Sequence, residues 1–335
     1  MSKYKAQVLS SYIYGTDVGP HHAMGKRNRW FHGFVASLIE QGSGLQEVEV
    51  GFHQLGRAAA EVSAAYAECK ARGVDLAICA GTDSAIRWAR ACPDIPTLYF
   101  GAHPENNGLE LTRQSNVAGV RLHLPLVWSF ENFSLLKALV PRLRAVYVPV
   151  NLLSEFAFPN VRAAYAQHRR ESTDFWIPGT SSWIGHRSVQ FLCDRMGCRY
   201  FEGPYESVDQ LVGELGKIDA PQDCAFIGFN DTVLMEDAAN RLLAWSGEAG
   251  AALFWVNNWP IVASGGVADF SSHFEQVGRI LGKQAMALLR GRRSPQEVGF
   301  AADPGQKLSL NLRRCAELSL PVAPEVRERF DAVQE

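Results

Sequence analysis

No stretch of the 335-residue chain approaches 18 consecutive apolar residues, so no membrane-spanning helix is expected. Long basic runs are also missing. RGRR at 290–293 and HRR at 168–170 are short, and the formal net charge is −2. Both therefore read as solvated faces, and a nucleic-acid partner is not expected. The seven cysteines (69, 79, 92, 193, 198, 224 and 315) include no CxxC pair. The nearest spacing, Cys193 to Cys198, fits neither a zinc knuckle nor a redox motif. An odd number of cysteines, several inside apolar strand patterns, favours free thiols in a reducing compartment. The chain carries no GxSxG, no P-loop and no dinucleotide fingerprint with its acidic partner. The Gly spacing in GVDLAICAG lacks the Lys-Ser/Thr continuation that phosphate binding needs. The opening MSKYKAQVLSSYIYGTDVG has lysines but neither a long apolar h-region nor a small-residue cleavage site, and so does not read as an exported precursor.

What is present is a large potential core. Apolar residues make up 47% of the chain and charged residues 20%, a balance that excludes global disorder. The length suits two domains. Strand-like runs recur: AQVLSSYIY (6–14), LQEVEVGF (45–52), LAICAG (76–81), TLYFGA (97–102), VAGVRL (117–122), RAVYVPV (144–150), CRYFEG (198–203), CAFIGF (224–229) and AALFWV (251–256). Helical patterns lie between them, at 29–41, 56–73, 129–141 and 237–247. Strand–helix alternation with near-continuous apolar strands predicts parallel sheets covered on both faces. So many core strands exceed one typical sheet, and the series restarts after Pro141, which predicts two similar α/β lobes. The 151–183 region is the least regular and reads as an elaborated loop with one helix at 161–170.

Ligands of open parallel sheets bind outside the carboxyl ends of the strands. Polar clusters stand at several such ends: Tyr14-Gly15-Thr16-Asp17, Gly81-Thr82-Asp83-Ser84, a His103-Pro104 stretch, Asn151, Asn230-Asp231-Thr232 and Asn257-Asn258-Trp259. Helix capping accounts for any one of them, but not easily for all. Trp183 and Trp259 each neighbour a polar cluster and could form an aromatic wall for a planar or aliphatic ligand.

With these residues in view, the chain resembles the substrate-binding proteins of ABC transporters of the tryptophan/tyrosine type. NVAGVRLHLPLVWSFENFSLLKALVPRLRAVYVPVN (116–151), AGTDSAI (80–86), GFNDTV (228–233), GGVADFSSHFEQVGRILGKQAMALLRGRRSPQEV (265–298) and KLSLNLRRCAELSLPVAPEVRERFDAV (307–333) follow that family's order and spacing. The resemblance implies a type I periplasmic-binding-protein fold, with two Rossmann-like lobes joined by three crossover hinge segments. One lobe would combine 1–122 with 263–292, the other 123–262 with 293–335. It implies a solute in an interlobe cleft and hinge closure upon it. By loop, the resemblance carries ligand contacts onto Thr82, Asp83, Ser84, His103, Asn151, Asn230, Asp231 and Thr232; the strand-end clusters and neighbouring aromatic and basic residues add Tyr14, Thr16, Arg121, Trp183, Asn257 and Trp259 as ligand-binding candidates. The chain departs from the family at His103, where an Asp-Pro begins with Asp, and at Arg121, where a small polar residue is usual. Those departures put an aromatic amino acid as ligand in doubt.

Other chemistries fit less well. His21-His22 lacks a carboxylate or cysteine at ligand spacing, so no metal is expected. Cys79 beside Thr82 invites a racemase reading, but Cys224 begins its strand where a second catalytic thiol should end one. The expectation is therefore a non-enzymatic, cofactor-free binder of a small polar or aromatic solute, amino-acid-like or heterocyclic. Mostly neutral candidate groups, with Asp17, Asp83 and Asp231 acidic and Arg121 the main base, suit a zwitterion or heterocycle better than a polyphosphate. The expected partner is an ABC permease; the alternative is a cytoplasmic ligand sensor with a regulatory partner. The address would be periplasmic if an export signal has been removed and cytoplasmic as the sequence is written.

Overall fold

The structure is a computed structural model that describes residues 3–10, 29–55, 59–102, 111–122, 130–151, 192–229, 237–256 and 262–335. In chain order the strands are β1 (Tyr4–Ser10), β2 (Val48–Gln54), β3 (Leu76–Ala80), β4 (Thr97–Ala102), β5 (Val117–Leu122) and β6 (Ala145–Asn151). They continue as β7 (Arg199–Tyr205), β8 (Cys224–Phe229), β9 (Ala252–Val256), β10 (Ala268–Ser272), β11 (Phe300–Ala301), β12 (Gln306–Asn311) and β13 (Ala332–Gln334). The chain divides into two compact units, Met1–His123 with His273–Gly305 and Leu124–Ser272 with Gln306–Glu335.

The first unit contains a six-stranded sheet in the order β11-β5-β4-β3-β1-β2. Every pairing in it is parallel. Parallel strands buried on both faces need apolar side chains on both, and β3 (LAICA) is buried at every position. One face, carrying Val8, Ile78, Phe100 and Val120, is covered by two helices, α1 (Arg29–Glu40) and α7 (Phe274–Leu289). Trp30, Phe34 and Leu38 of α1, with Val277, Leu281 and Met286 of α7, complete that core. The two helices touch backbone to backbone. A Cβ on Gly278 would collide with the Trp30 carbonyl, and one on Gly33 with the Glu275 carbonyl. Elsewhere in this unit lie α2 (Ala59–Arg72) and α3 (Thr82–Ala91), the latter bringing the wholly buried Trp88.

The second unit contains a seven-stranded sheet, β13-β12-β10-β9-β8-β6-β7. Only β10–β12 is antiparallel; the other pairings are parallel. Here α4 (Phe130–Leu139), α5 (Val208–Leu215) and α6 (Asp237–Ala249) supply helices. Leu211 and Leu215 of α5 and Leu242 of α6 join Tyr147, Phe226, Leu253 and Trp255 of the sheet in one cluster. Tyr147 stacks on Phe226 at 5.8 Å between ring centroids. After β12, Asn311 caps the short α9 (Leu312–Glu317), its side-chain oxygen accepting from the Arg314 N–H at 3.0 Å. Its amide donates to the Val262 carbonyl at 2.9 Å.

Parallel α/β architecture follows the sequence pattern, and the expected helices at 29–41, 56–73, 129–141 and 237–247 contain α1, α2, α4 and most of α6. The boundaries between units need correcting. The expected second and third crossings divided the chain before 263 and before 293; the units instead divide after Ser272 and after Gly305. The cause is hydrogen bonding. β10 pairs with β9 and β12, which makes it a strand of the second sheet. α8 (Pro295–Val298) and β11 return to the first sheet, where Phe300 pairs with Gly119. The expected helix at 161–170 lies outside the described residues.

Candidate functional site

Because the first sheet is wholly parallel, its strands all finish at one edge. At that edge β3 ends in Ala80, and Gly81 turns the chain into α3 with φ 93° and ψ 157°. A side chain is strained at this φ, and Gly is not. Thr82 and Asp83 then occupy the first turn of α3, where backbone N–H groups have no helical partner. Ser84 behaves differently from expectation. It is fully buried, and its hydroxyl lies 2.8 Å from the Ala80 carbonyl and 3.0 Å from that of Gly81. Its donor is committed to the strand–helix junction, which corrects the placement of Ser84 among solute contacts. Ser84→Ala should cost about 1 kcal/mol of stability, the value of one buried hydrogen bond, and leave solute affinity unchanged. Chemical denaturation alongside a binding isotherm measures both.

Arg121 is the penultimate residue of β5, opposite Gly101 in the β4 register, and is partly buried. Successive side chains alternate faces, so it points away from the core face that holds Val120 and Leu122. On β4, Tyr99 lies along its own strand over Gly101, where a Cβ would meet the Tyr99 ring at 2.7 Å.

The second sheet repeats this device. Tyr147 lies over Gly203 and Trp255 over Gly228, with a Cβ on Gly228 coming within 2.6 Å of the indole. Burial pushes the Tyr147 hydroxyl up to about 12, with Glu214 adding to the effect. Asn151 is the last residue of β6, opposite Tyr205. In the sequence, His103, Asn230 and Asn257 each directly follow the last residue of β4, β8 and β9. Tyr14, Thr16, His103, Trp183, Asn230, Asp231, Thr232, Asn257 and Trp259 lie outside the described residues.

One group escaped the sequence reading. Asp269 of β10 is fully buried and accepts a hydrogen bond from Ser271. It stands in register between Trp255 of β9 and Ser309 of β12. The Trp255 Nε1 and Ser309 Oγ flanking it are buried and have no hydrogen-bond partner among the described residues. A carboxyl group in a core needs a hydrogen-bonding partner, and the Ser271 hydroxyl, two residues on in the same strand, supplies one. The available signal was an Asp inside the apolar run GGVADFSS.

Cys79 is wholly buried near the carboxyl end of β3, whereas Cys224 opens β8 at the amino end. Two thiols at opposite strand ends do not resemble a pair that exchanges a substrate proton. Among the described residues no group of three or more His, Cys, Asp or Glu could hold a metal ion. Among them, too, no helix is long and apolar enough to cross a membrane.

No family model matches the sequence, and no curated protein matches it. Solved structures do match. An ABC domain from Streptococcus pneumonia in complex with L-Trp shares 18% identity and a TM-score of 0.71, over 99% of this chain and 100% of that one. A substrate-binding protein with adhesive properties from Clostridium difficile, solved ligand-free and open, gives 16% and 0.63, over 99% of each chain. The trehalose repressor from Escherichia coli gives 13% and 0.55, over 92% of this chain and 100% of the repressor. At such identities the likeness carries the fold: this chain has the two-unit α/β fold of type I periplasmic binding proteins. Solute-binding proteins and a repressor both use it.

Proposed function

We propose that this protein is a non-enzymatic binder of a small polar or aromatic solute, serving as the solute-binding component of an ABC importer. The observation that carries this reading is the fold shared with a protein in complex with L-Trp. The largely parallel sheets support it: β6 ends at Asn151, and in the sequence His103, Asn230 and Asn257 directly follow β4, β8 and β9. The solute would lie against the loops after these strands, with Thr82, Asp83 and Arg121 contributed by the first unit. An ammonium would pair with Asp83 or Asp231, and a carboxylate with Arg121 or helix N–H groups.

A thermal-shift screen of amino acids and heterocyclic metabolites tests the reading. A solute that binds only the native state adds about 2.7 kcal/mol at a hundredfold excess over its Kd. In a chain of this size that raises Tm by roughly 4 °C. Silence across the whole screen would remove these solute classes. With a solute in hand, Asp231→Ala should weaken binding roughly tenfold or more, since a charge-assisted hydrogen bond is lost. Its Tm without solute should stay unchanged. The fold shared with the trehalose repressor favours one alternative, a ligand sensor that signals to a regulatory partner. Permease and ATPase genes beside this one would favour transport; their absence beside a regulator gene would favour sensing.

A further inference from the structure

Cys193 and Cys198 do not look paired in the sequence, yet the chain brings them together. Residues 192–196 form a helical turn that ends at Gly197, with φ 69°. The Cys198 N–H donates to the Cys193 carbonyl at 3.0 Å, and the Gly197 N–H to that of Asp194 at 3.2 Å. These are the two bonds of a Schellman motif, which sets the side chains of its first and last residues against each other. Here both are cysteines. The Cys198 sulfur also lies 3.5 Å from the Cys193 carbonyl oxygen. Both thiols are buried and are free in this structure.

We propose that Cys193 and Cys198 are a thiol pair that a low-molecular-weight disulfide such as oxidised glutathione converts to an intramolecular disulfide. The Cys198 thiolate attacks one sulfur of the reagent, forming a mixed disulfide and releasing one thiol. The Cys193 thiol then loses its proton, attacks the Cys198 sulfur and expels the second thiol. Two protein thiols and one reagent disulfide thus become one protein disulfide and two reagent thiols. The surroundings set the order of attack. A hydrogen bond from the Cys193 thiol, with the Lys137 ammonium nearby, holds Cys198 below the ordinary thiol range despite its burial. Cys193 is raised, by that same bond and by burial. Lys137 is fixed there because its Nζ donates to the Met196 carbonyl at 2.7 Å. The crosslink would tie the end of the helical turn to the start of β7, the outermost strand of the second sheet among the described residues.

Thiol titration after denaturation tests this on the full chain. The reduced protein should show seven thiols. After native-state incubation with oxidised glutathione it should show two fewer, with peptide mapping placing the bond between Cys193 and Cys198 and a loss of two hydrogens. The Cys193→Ser variant should instead retain one glutathione on Cys198, because the resolving thiol is gone. A full complement of thiols in the oxidised wild type would overturn the proposal. So would a stable glutathione adduct on wild-type Cys198, or a crosslink to any other cysteine.

Discussion

Gly278→Ala is expected to destabilise the first unit by about 3 kcal/mol, even though the same change usually strengthens a helix. Intrinsic propensity favours alanine by about 1 kcal/mol at an interior helical position. Against that stands the contact between α1 and α7. The added methyl would fall inside the Trp30 carbonyl and within 2.7 Å of the Phe34 nitrogen. Both are backbone atoms in a helix and cannot swing aside as a side-chain end can. Overpacking of this kind costs about 1–3 kcal/mol where side chains can adjust, so a backbone clash belongs at the upper end or beyond. Gly282 and Gly33 meet the partner helix in the same way, through Ser37 and the Glu275 carbonyl. The helices would have to separate, and Trp30, Phe34, Val277 and Leu281 would lose packing together. Gly213, exposed in α5 with nothing within 4 Å of its would-be Cβ, is the control. Gly213→Ala should stabilise by about 0.5–1 kcal/mol. Denaturant unfolding of both variants decides the matter; a Gly278→Ala protein as stable as wild type would mean the helices are not in backbone contact.

Asn311→Ala should cost the second unit a similar amount, about 3 kcal/mol. The buried Asn311 side chain performs two tasks, capping α9 through the Arg314 N–H and donating to the Val262 carbonyl. Loss of an N-cap costs about 0.5–2 kcal/mol. Leaving buried polar groups without a partner adds about 1–3 kcal/mol. The damage should spread, because Arg314 is itself nearly buried and donates to Ser246 at 2.9 Å and Glu317 at 3.0 Å. Ser246 in turn donates to the Ala251 carbonyl at 2.6 Å, where α6 gives way to β9. Asn311→Asp should recover only the capping part of the loss, since its carboxylate still accepts from the Arg314 N–H but is buried and faces the Val262 carbonyl without a donor. Faster amide exchange at Arg314 in the alanine variant than in the aspartate variant, which keeps the capping acceptor, is the expected signature. Equal stability of the alanine variant and wild type would remove Asn311 from this role.

The fold was legible because parallel strands announce themselves. LAICA, CAFIGF and ALFWV are apolar throughout, and only strands buried on both faces tolerate that. β10, β11 and β12 were harder to allot. ADFSS and QKLSLN alternate small, polar and apolar residues, a pattern that does not say which sheet will accept the strand. β11 pairs with β5, far away in the sequence, and interrupts the run from β10 to β12, so their places come from tertiary pairing. The Cys193–Cys198 contact was hidden for another reason: a spacing of five matches no ligand motif, and only the left-handed Gly197 folds the chain back. Ser84 shows the limit of reading polar residues at strand ends. A hydroxyl four residues past a strand carbonyl can turn inward as readily as outward. Asp269 shows the reverse, a charged residue concealed within an apolar run.

α7 has a bearing on how the protein is made. It covers the first sheet together with α1, yet it begins at Phe274, after the long Leu124–Ser272 stretch of the second unit has been synthesised. A ribosome delivers residues at about 5–20 per second, so the sheet face lined by Ile78, Phe100 and Val120 must wait many seconds for its cover. The amino-terminal half therefore emerges as an unfinished layer with a greasy side, and a nascent chain halted before Phe274 would be a natural client for chaperones. Maturation of the first unit is thus timed by a helix encoded about 150 residues downstream of its fifth strand.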